Sequence, residues 1–232
     1  MIKKEIYIIR HGETDWNTLG KVQGFVEDTE LNKNGIEQAK LTGKYLKDYR
    51  TKDKPFDWII CSPMKRAKAT CNIIADVLNY SGEVEQLDIL TEVKVGEISG
   101  TTSEDKIRKK VDEFEENYFK KHSDPITRYA IDETKLLNDK IGFHMETFKE
   151  LRTRTQKIIN LIKKSDKEKI IIVSHSMLIN HLLRNMFKIN FVMVGDQTNG
   201  SNCRIAYVTY NTEKKRFKLV SPYNTLHLGL YK

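Results

Sequence analysis

The run Ile6-Tyr7-Ile8-Ile9, followed at once by Arg10-His11-Gly12, constrains this chain more than any other stretch. Four apolar, largely β-branched residues in succession are too few for a helix and read as a buried strand. In open α/β sheets ligands gather just beyond the carboxyl ends of the strands. Here that position carries a permanent cation, a nucleophilic imidazole and a residue without a Cβ. Those parts suit a phosphate.

Comparable strand ends recur downstream. Phe56 to Cys61 reads as a second buried strand, with Ser62-Pro63 as N-cap and first-turn proline of a helix from Met64 to about Asn79. Arg66 then falls in the first helical turn, where a cation opposes the helix dipole and calls for an anion. Val84 to Leu90 reads as a shorter strand leading to Glu92. Ile170 to Val173 is fully apolar and closes on Ser174-His175-Ser176, ahead of a helix through Leu178, Leu182, Leu183 and Met186.

The remaining segments supply the frame. Trp16 to Glu30 lacks a sustained period and reads as a loop over the strand ends. Asn32 caps a helix to about Tyr49, with Ile36, Ala39, Gly43, Leu46 and Tyr49 on its apolar face. Thr101 to Ile141, roughly forty residues, is too long for a plain connection. Its Ile107, Val111, Phe114 and Tyr118 predict an amphipathic helix over Ser103 to Lys121, taken as a cap inserted at about 101–141. A helix is expected over Phe143 to Lys164. Arg204 to Tyr210 and Arg216 to Val220, joined by Asn211 to Lys215, predict a hairpin at the sheet edge. Length alone favours a single domain over residues 1–232.

Composition narrows the partners. Lys plus Arg number 40 against 32 Asp plus Glu, a net charge of +8 that attracts anions. The lysines are interleaved with acids, so they read as a solvated face and not as a nucleic-acid or membrane patch. Cys61, Cys71 and Cys203 are an odd, sparse set, against a disulfide framework or a zinc knuckle. The apolar run after Lys3 and Lys4 meets Arg10 too early for a secretory core or a membrane span, so a soluble cytoplasmic protein is expected.

Several strings together resemble the histidine phosphatase superfamily, the phosphoglycerate mutase-like proteins. Arg10-His11-Gly12 continues through Glu13, Thr14 and Asn17 in the family's order. Leu31 to Ala39 resembles its Leu-Thr-x-x-Gly-x-x-Gln-Ala segment, Ser62 to Thr70 its second arginine motif, and Glu92 with Gly96 and Gly100 its acid-donor loop. Glu146-Thr147, with Arg152 and Arg154 beyond, resembles a Gly-Glu-Ser-x-x-x-x-x-Arg run. The resemblance extends from Ile6 to about Asn202. It implies an α/β three-layer sandwich, with a mostly parallel central sheet between helices, and catalysis without a metal or other cofactor.

Phosphoryl transfer asks mainly for positioning and for charge on three equatorial oxygens. His11 can attack phosphorus in line, Arg10 and Arg66 can grip the oxygens, and His175 can donate from the opposite side. Glu92 can protonate the leaving oxygen and later deprotonate water. By resemblance Asn17, Gln23 and Gly24 complete the phosphate or substrate contacts. Taken singly, each group has an ordinary structural reading, which His122, His144, His181 and His227 keep. A metal site is the chemical competitor, but two arginines beside the same imidazoles repel a divalent cation.

Two departures from the family matter. Ser176 stands where most relatives carry glycine after the second histidine. Glu92 is followed by Val93, Lys94 and Val95, where mutases that use a bisphosphorylated cofactor carry Arg, a His-like residue and Tyr. Lys94 alone could hold a second anion, so water is favoured as the acceptor. The expectation is a phosphatase for small phosphorylated metabolites, of the sugar phosphate or phosphoglycerate type. A cofactor-dependent mutase and a catalytically weak phosphoryl-binding regulatory protein are the alternatives. No nucleic-acid or membrane partner is expected, and the oligomeric state is open, a homodimer included.

Overall fold

The computed structural model describes residues 3–25, 29–51, 53–107, 109–110, 113, 116–117, 138–139, 142, 144–188 and 201–229. A six-stranded sheet forms its centre, in the order β3-β2-β4-β1-β5-β6. The strands are β1 (Lys3–Arg10), β2 (Trp58–Cys61), β3 (Val84–Gln86), β4 (Lys169–Ser174), β5 (Ile205–Asn211) and β6 (Arg216–Asn224). The first four run parallel, and the β5–β6 hairpin joins antiparallel to β1. The expected hairpin is present, but only β6 is the edge; β5 is an interior strand.

Helices α2 (Lys33–Arg50) and α3 (Lys65–Leu78) cover one face, and α4 (Phe148–Lys164) and α5 (Ser176–Phe187) the other. Alternation along the central strands divides the core accordingly. Ile6, Ile8, Ile170 and Ile172 pack towards α4 and α5, while Tyr7, Ile9, Ile171 and Val173 pack towards α2 and α3. All eight are at most 1% exposed, and burying each such side chain contributes roughly 1.5–3 kcal/mol. β1 and β4 therefore contribute to both halves of the core.

Several boundaries differ from the sequence reading, each for a local reason. The loop expected over Trp16 to Glu30 contains the one-turn helix α1 (Asp15–Thr18), with Thr14 and Asn17 forming a capping box. Four residues are too few to show a period. The cap of α3 is Met64, not Ser62; the Ser62 hydroxyl accepts from the Met64 N–H at 3.3 Å, and Pro63 stays outside the helix. β3 ends at Gln86 and gives way to a 3-10 turn over Asp88–Leu90.

The helix expected from Phe143 begins at Phe148, because Thr147 and Glu150 form a capping box there. On α2, Ile36 and Tyr49 are exposed, and the buried face is Gly35, Ala39, Thr42, Gly43, Tyr45 and Leu46. Of the helix expected over Ser103 to Lys121, Val111, Phe114 and Tyr118 lie outside the described residues, as does His122. Ile107 packs at the margin of the core. Among the described residues no helix is long and apolar enough to cross a membrane.

Candidate active site

The parallel register brings three strand ends together. Arg10 at the end of β1 lies opposite Ser174 of β4, and Cys61 of β2 lies opposite Val173. The His11 N–H donates to the Ser174 carbonyl at 2.9 Å and the Ser62 N–H to the Val173 carbonyl at 3.0 Å. The next side chains along each strand therefore meet. His11 and His175 face each other with ring centroids 5.3 Å apart and planes inclined by 56°. Both are buried.

The partners of His11 assign its tautomer. Its Nδ1 lies 2.7 Å from the Gly12 carbonyl, which can only accept, so Nδ1 carries the hydrogen. Nε2 keeps its lone pair, towards which Arg66 Nε donates at 3.3 Å. Burial above all, then Arg66 and Arg10, hold the imidazole well below its ordinary pKa of 6.5, with a smaller effect of Arg204. The His11 imidazole is neutral at pH 7.

The turn that presents it is tightly fixed. Gly12 N–H donates to Thr70 Oγ1 at 2.9 Å. A Cβ on Gly12 would meet the Gly35 carbonyl oxygen at 2.5 Å, so the turn rests directly on the first turn of α2. Asn202 Nδ2 binds the His11 and Gly12 carbonyls, each at 3.1 Å, and Asn17 Oδ1 at 3.0 Å.

Three guanidiniums surround this turn. Arg66 is fully buried, Arg10 is 7% exposed and Arg204 3%. Arg66 Nη2 reaches the Gly24 carbonyl at 3.4 Å. Arg204 Nη2 donates to Ser176 Oγ at 2.6 Å, and its guanidinium lies 4.4 Å from the centre of the Tyr223 ring. Ser176, which replaces the usual glycine, thus anchors an arginine.

His175 Nε2 lies 2.8 Å from Ser62 Oγ, and its buried Nδ1 has no partner among the described residues. Burial, followed by Arg66, His11, Arg10 and Arg154, holds this imidazole neutral as well. Glu92, 5% exposed, accepts at Oε1 from the Val93 and Leu178 N–H groups at 2.9 and 3.1 Å. Its Oε2 has the longer contact to Met177 N, 3.4 Å. Burial raises its pKa above 4.5, against the lowering effects of these N–H groups and Arg66. The carboxyl can hold a proton, with Oε2 the less engaged oxygen.

The other expected contacts sit around this group. Asn17 Oδ1 accepts from the Thr14 backbone and hydroxyl, each at 3.1 Å. The Gln23 side chain is bonded within its own loop, to Thr14 Oγ1 and Thr29 Oγ1 at 2.8 Å each. A Cβ on Gly24 would come within 2.4 Å of a Val95 methyl, so this glycine lets the loop pack on the segment after Glu92.

Residues 6–222 match the family described as the histidine phosphatase superfamily (branch 1). The chain is a member of that superfamily. It is 31% identical over 179 residues to an uncharacterized phosphatase, PhoE, of Bacillus subtilis, covering 77% of this chain and 75% of that protein. It is 37% identical over 101 residues to a 2,3-bisphosphoglycerate-dependent phosphoglycerate mutase of Allorhizobium ampelinum, covering 43% of this chain and 46% of the mutase. The structure is similar to that of phosphoserine phosphatase from Entamoeba histolytica in complex with 3-phosphoglyceric acid. That match has a TM-score of 0.66 and 26% identity, covering 97% of this chain and 99% of the other.

The sequence reading of this superfamily member missed Asn202 and Arg204. Both precede β5, whose antiparallel pairing with β1 carries them to the turn at His11 and Gly12: Ile9 lies opposite Ile205, and the Arg10 N–H donates to the Arg204 carbonyl at 3.1 Å. Pairing the hairpin with β1 would have exposed them. The histidines set aside as structural stay outside the group where described: His227 bonds Thr42 at 3.1 Å, His181 packs on Phe148 and His144 contacts Glu97 at 2.7 Å.

Proposed function

We propose that this protein is a phosphatase that hydrolyses small phosphorylated metabolites, of the phosphoglycerate or sugar phosphate type, through a phosphohistidine on His11. The observation that carries the reading is the neutral imidazole with Nδ1 bound to the Gly12 carbonyl and its Nε2 lone pair among arginines. Such a nitrogen attacks phosphorus while the cations neutralise the phosphoryl oxygens. The unpartnered Nδ1 of His175 supports a phosphate oxygen as its ligand.

In the first step the His11 Nε2–P bond forms and the ester P–O bond breaks, and the leaving oxygen takes the proton of Glu92. In the second, water attacks phosphorus, its proton passes to the Glu92 carboxylate, the N–P bond breaks and inorganic phosphate departs. Arg10, Arg66 and His175 hold the phosphoryl oxygens throughout, with Arg204 as a further cation. Asn17 orients the nucleophile's turn through Asn202, and Gln23, Gly24 and Ser176 build the rim. A cavity of about 620 Å³ beside Glu92, lined in part by Phe25, Pro63, Met64 and Lys94, offers room for the leaving group.

Water is the preferred acceptor, since the phosphatase relative spans more of the chain than the mutase does. The test supplies 3-phosphoglycerate with and without bisphosphoglycerate. Steady release of inorganic phosphate is expected, with acid-labile, base-stable labelling that is lost in His11→Ala. Rapid isomerisation with little free phosphate would replace this reading by a mutase.

A further inference from the structure

The segment that carries Glu92 is tied on both sides to one ion pair. Arg154 of α4 and Glu146, just before that helix, form a two-pronged bridge: Nε donates to Oε1 at 2.7 Å, and Nη2 donates to Oε2. Their side chains are only 15% and 9% exposed. The remaining prong of Arg154 turns to the acid loop. Its Nη1 donates to the Thr91 carbonyl at 2.6 Å and to the Ile89 carbonyl at 3.3 Å.

Glu146 holds the other side of the loop. Its N–H donates to the Lys94 carbonyl at 2.8 Å, and its Oε2 accepts from the Lys94 N–H at 3.4 Å. The neighbouring residues Val95 and Met145 form an isolated antiparallel bridge. So the carbonyl just before Glu92 and the peptide groups of Lys94 just after it are fastened to the same half-buried pair. The Glu92 backbone has little freedom left.

We propose that the Glu146–Arg154 pair is a positioning device for the acid, holding the Glu92 carboxyl where proton transfer to the leaving oxygen can occur. The inference rests on Glu92 being that acid. A fork bonded at once to a carboxylate and two carbonyls fixes direction as well as distance, which a lysine ammonium cannot reproduce. Misplacing a catalytic group by about 1 Å costs on the order of 100-fold in rate.

The experiment compares two esters that differ in their need for an acid. 3-Phosphoglycerate must expel an alkoxide and depends on a proton; p-nitrophenyl phosphate expels a stabilised phenolate and depends on it far less. The readout is the ratio of their kcat/KM values, which reports the step in which the leaving group departs. In Arg154→Met and Glu146→Gln the ratio of 3-phosphoglycerate to p-nitrophenyl phosphate should fall roughly 10- to 100-fold. Neither substitution should lower it further in a Glu92→Gln background, because residues acting as one unit are not additive.

Glu146→Gln keeps the side-chain shape and serves where Arg154→Met does not fold. An equal loss on both esters, or a full additional loss in the Glu92→Gln background, would mean a purely structural pair and overturn the inference. If Glu92→Gln alone leaves the ratio unchanged, the assignment of the acid fails and the positioning role with it. If Glu92→Gln lowers the ratio and the pair's variants do not, the positioning role alone fails.

Discussion

Arg66 Nε directs its hydrogen at His11 Nε2 from 3.3 Å, the same lone pair that attacks phosphorus in the mechanism proposed above. On that mechanism an arriving phosphoryl oxygen would compete for this hydrogen and expose Nε2. Arg66→Met should therefore lower kcat/KM roughly 100- to 1000-fold, the cost of removing one preorganised donor. Arg66→Lys should recover only part, since the ammonium lacks the fork. Steady-state kinetics on both variants checks this, and full recovery by lysine would contradict it.

The pH profile should be bell-shaped, with limbs on unusual sides. Burial and the arginines depress His11, so its neutral form persists well below pH 6.5 as pH falls. Burial raises Glu92, so its protonated form persists above pH 4.5 as pH rises. The two shifts bring the neutral imidazole and the protonated carboxyl towards coexistence. kcat/KM for 3-phosphoglycerate should fall on the basic side as Glu92 ionises, and Glu92→Gln should abolish that limb. The ester's own ionisation, near about pH 6, is common to both proteins and cancels in their ratio. A basic limb that survives in Glu92→Gln would assign it to another group.

Asn202→Ala removes one amide that binds the His11 and Gly12 carbonyls and Asn17 Oδ1 together. The buried carbonyls lose a donor, which costs on the order of 1–3 kcal/mol of stability. Because the nucleophile's turn loosens, kcat should drop roughly tenfold with KM changed less. Thermal denaturation and kinetics report the two effects, and an unchanged kcat would remove Asn202 from the account.

The fold should also be acid-sensitive. His11 and His175 are depressed well below 6.5, and burial brings His181 and His227 to about 4. Below pH 6.5 the unfolded chain binds protons that the folded chain refuses. Stability is therefore complete above that value and is lost as pH falls towards the folded-state pKa values. Tm should be lower at pH 5 than at pH 7, and His181→Leu should flatten the slope. A Tm independent of pH across this range would refute the argument.

What was legible in the sequence was local. Each apolar run announced a strand, and the charged or imidazole residue next in line announced a strand end, so Arg10, His11 and His175 could be named before their meeting was visible; Glu92 was named from a strand drawn to Leu90, whereas β3 ends at Gln86 and a 3-10 turn leads on towards it. Arg66 was legible because a cation in a first helical turn is locally unfavourable. Non-local pairing hid the rest. Asn202 and Arg204 join the site through the antiparallel ladder between β5 and β1, which no period in the sequence encodes. Arg154 lies eight residues beyond Glu146, a spacing that does not pair within a helix, and the contact forms because Glu146 stands outside α4. Phe143 drew the expected start of that helix upstream, whereas the Thr147 and Glu150 capping box decided it.

Neighbouring strands are hydrogen-bonded roughly 4.8 Å apart, a pitch common to all polypeptides. β1 and β4 are such neighbours, and the imidazoles that follow them stand 5.3 Å apart. The separation of the two rings thus follows the pitch of the peptide backbone itself. Side chains further out can be exchanged while this separation stays with the frame.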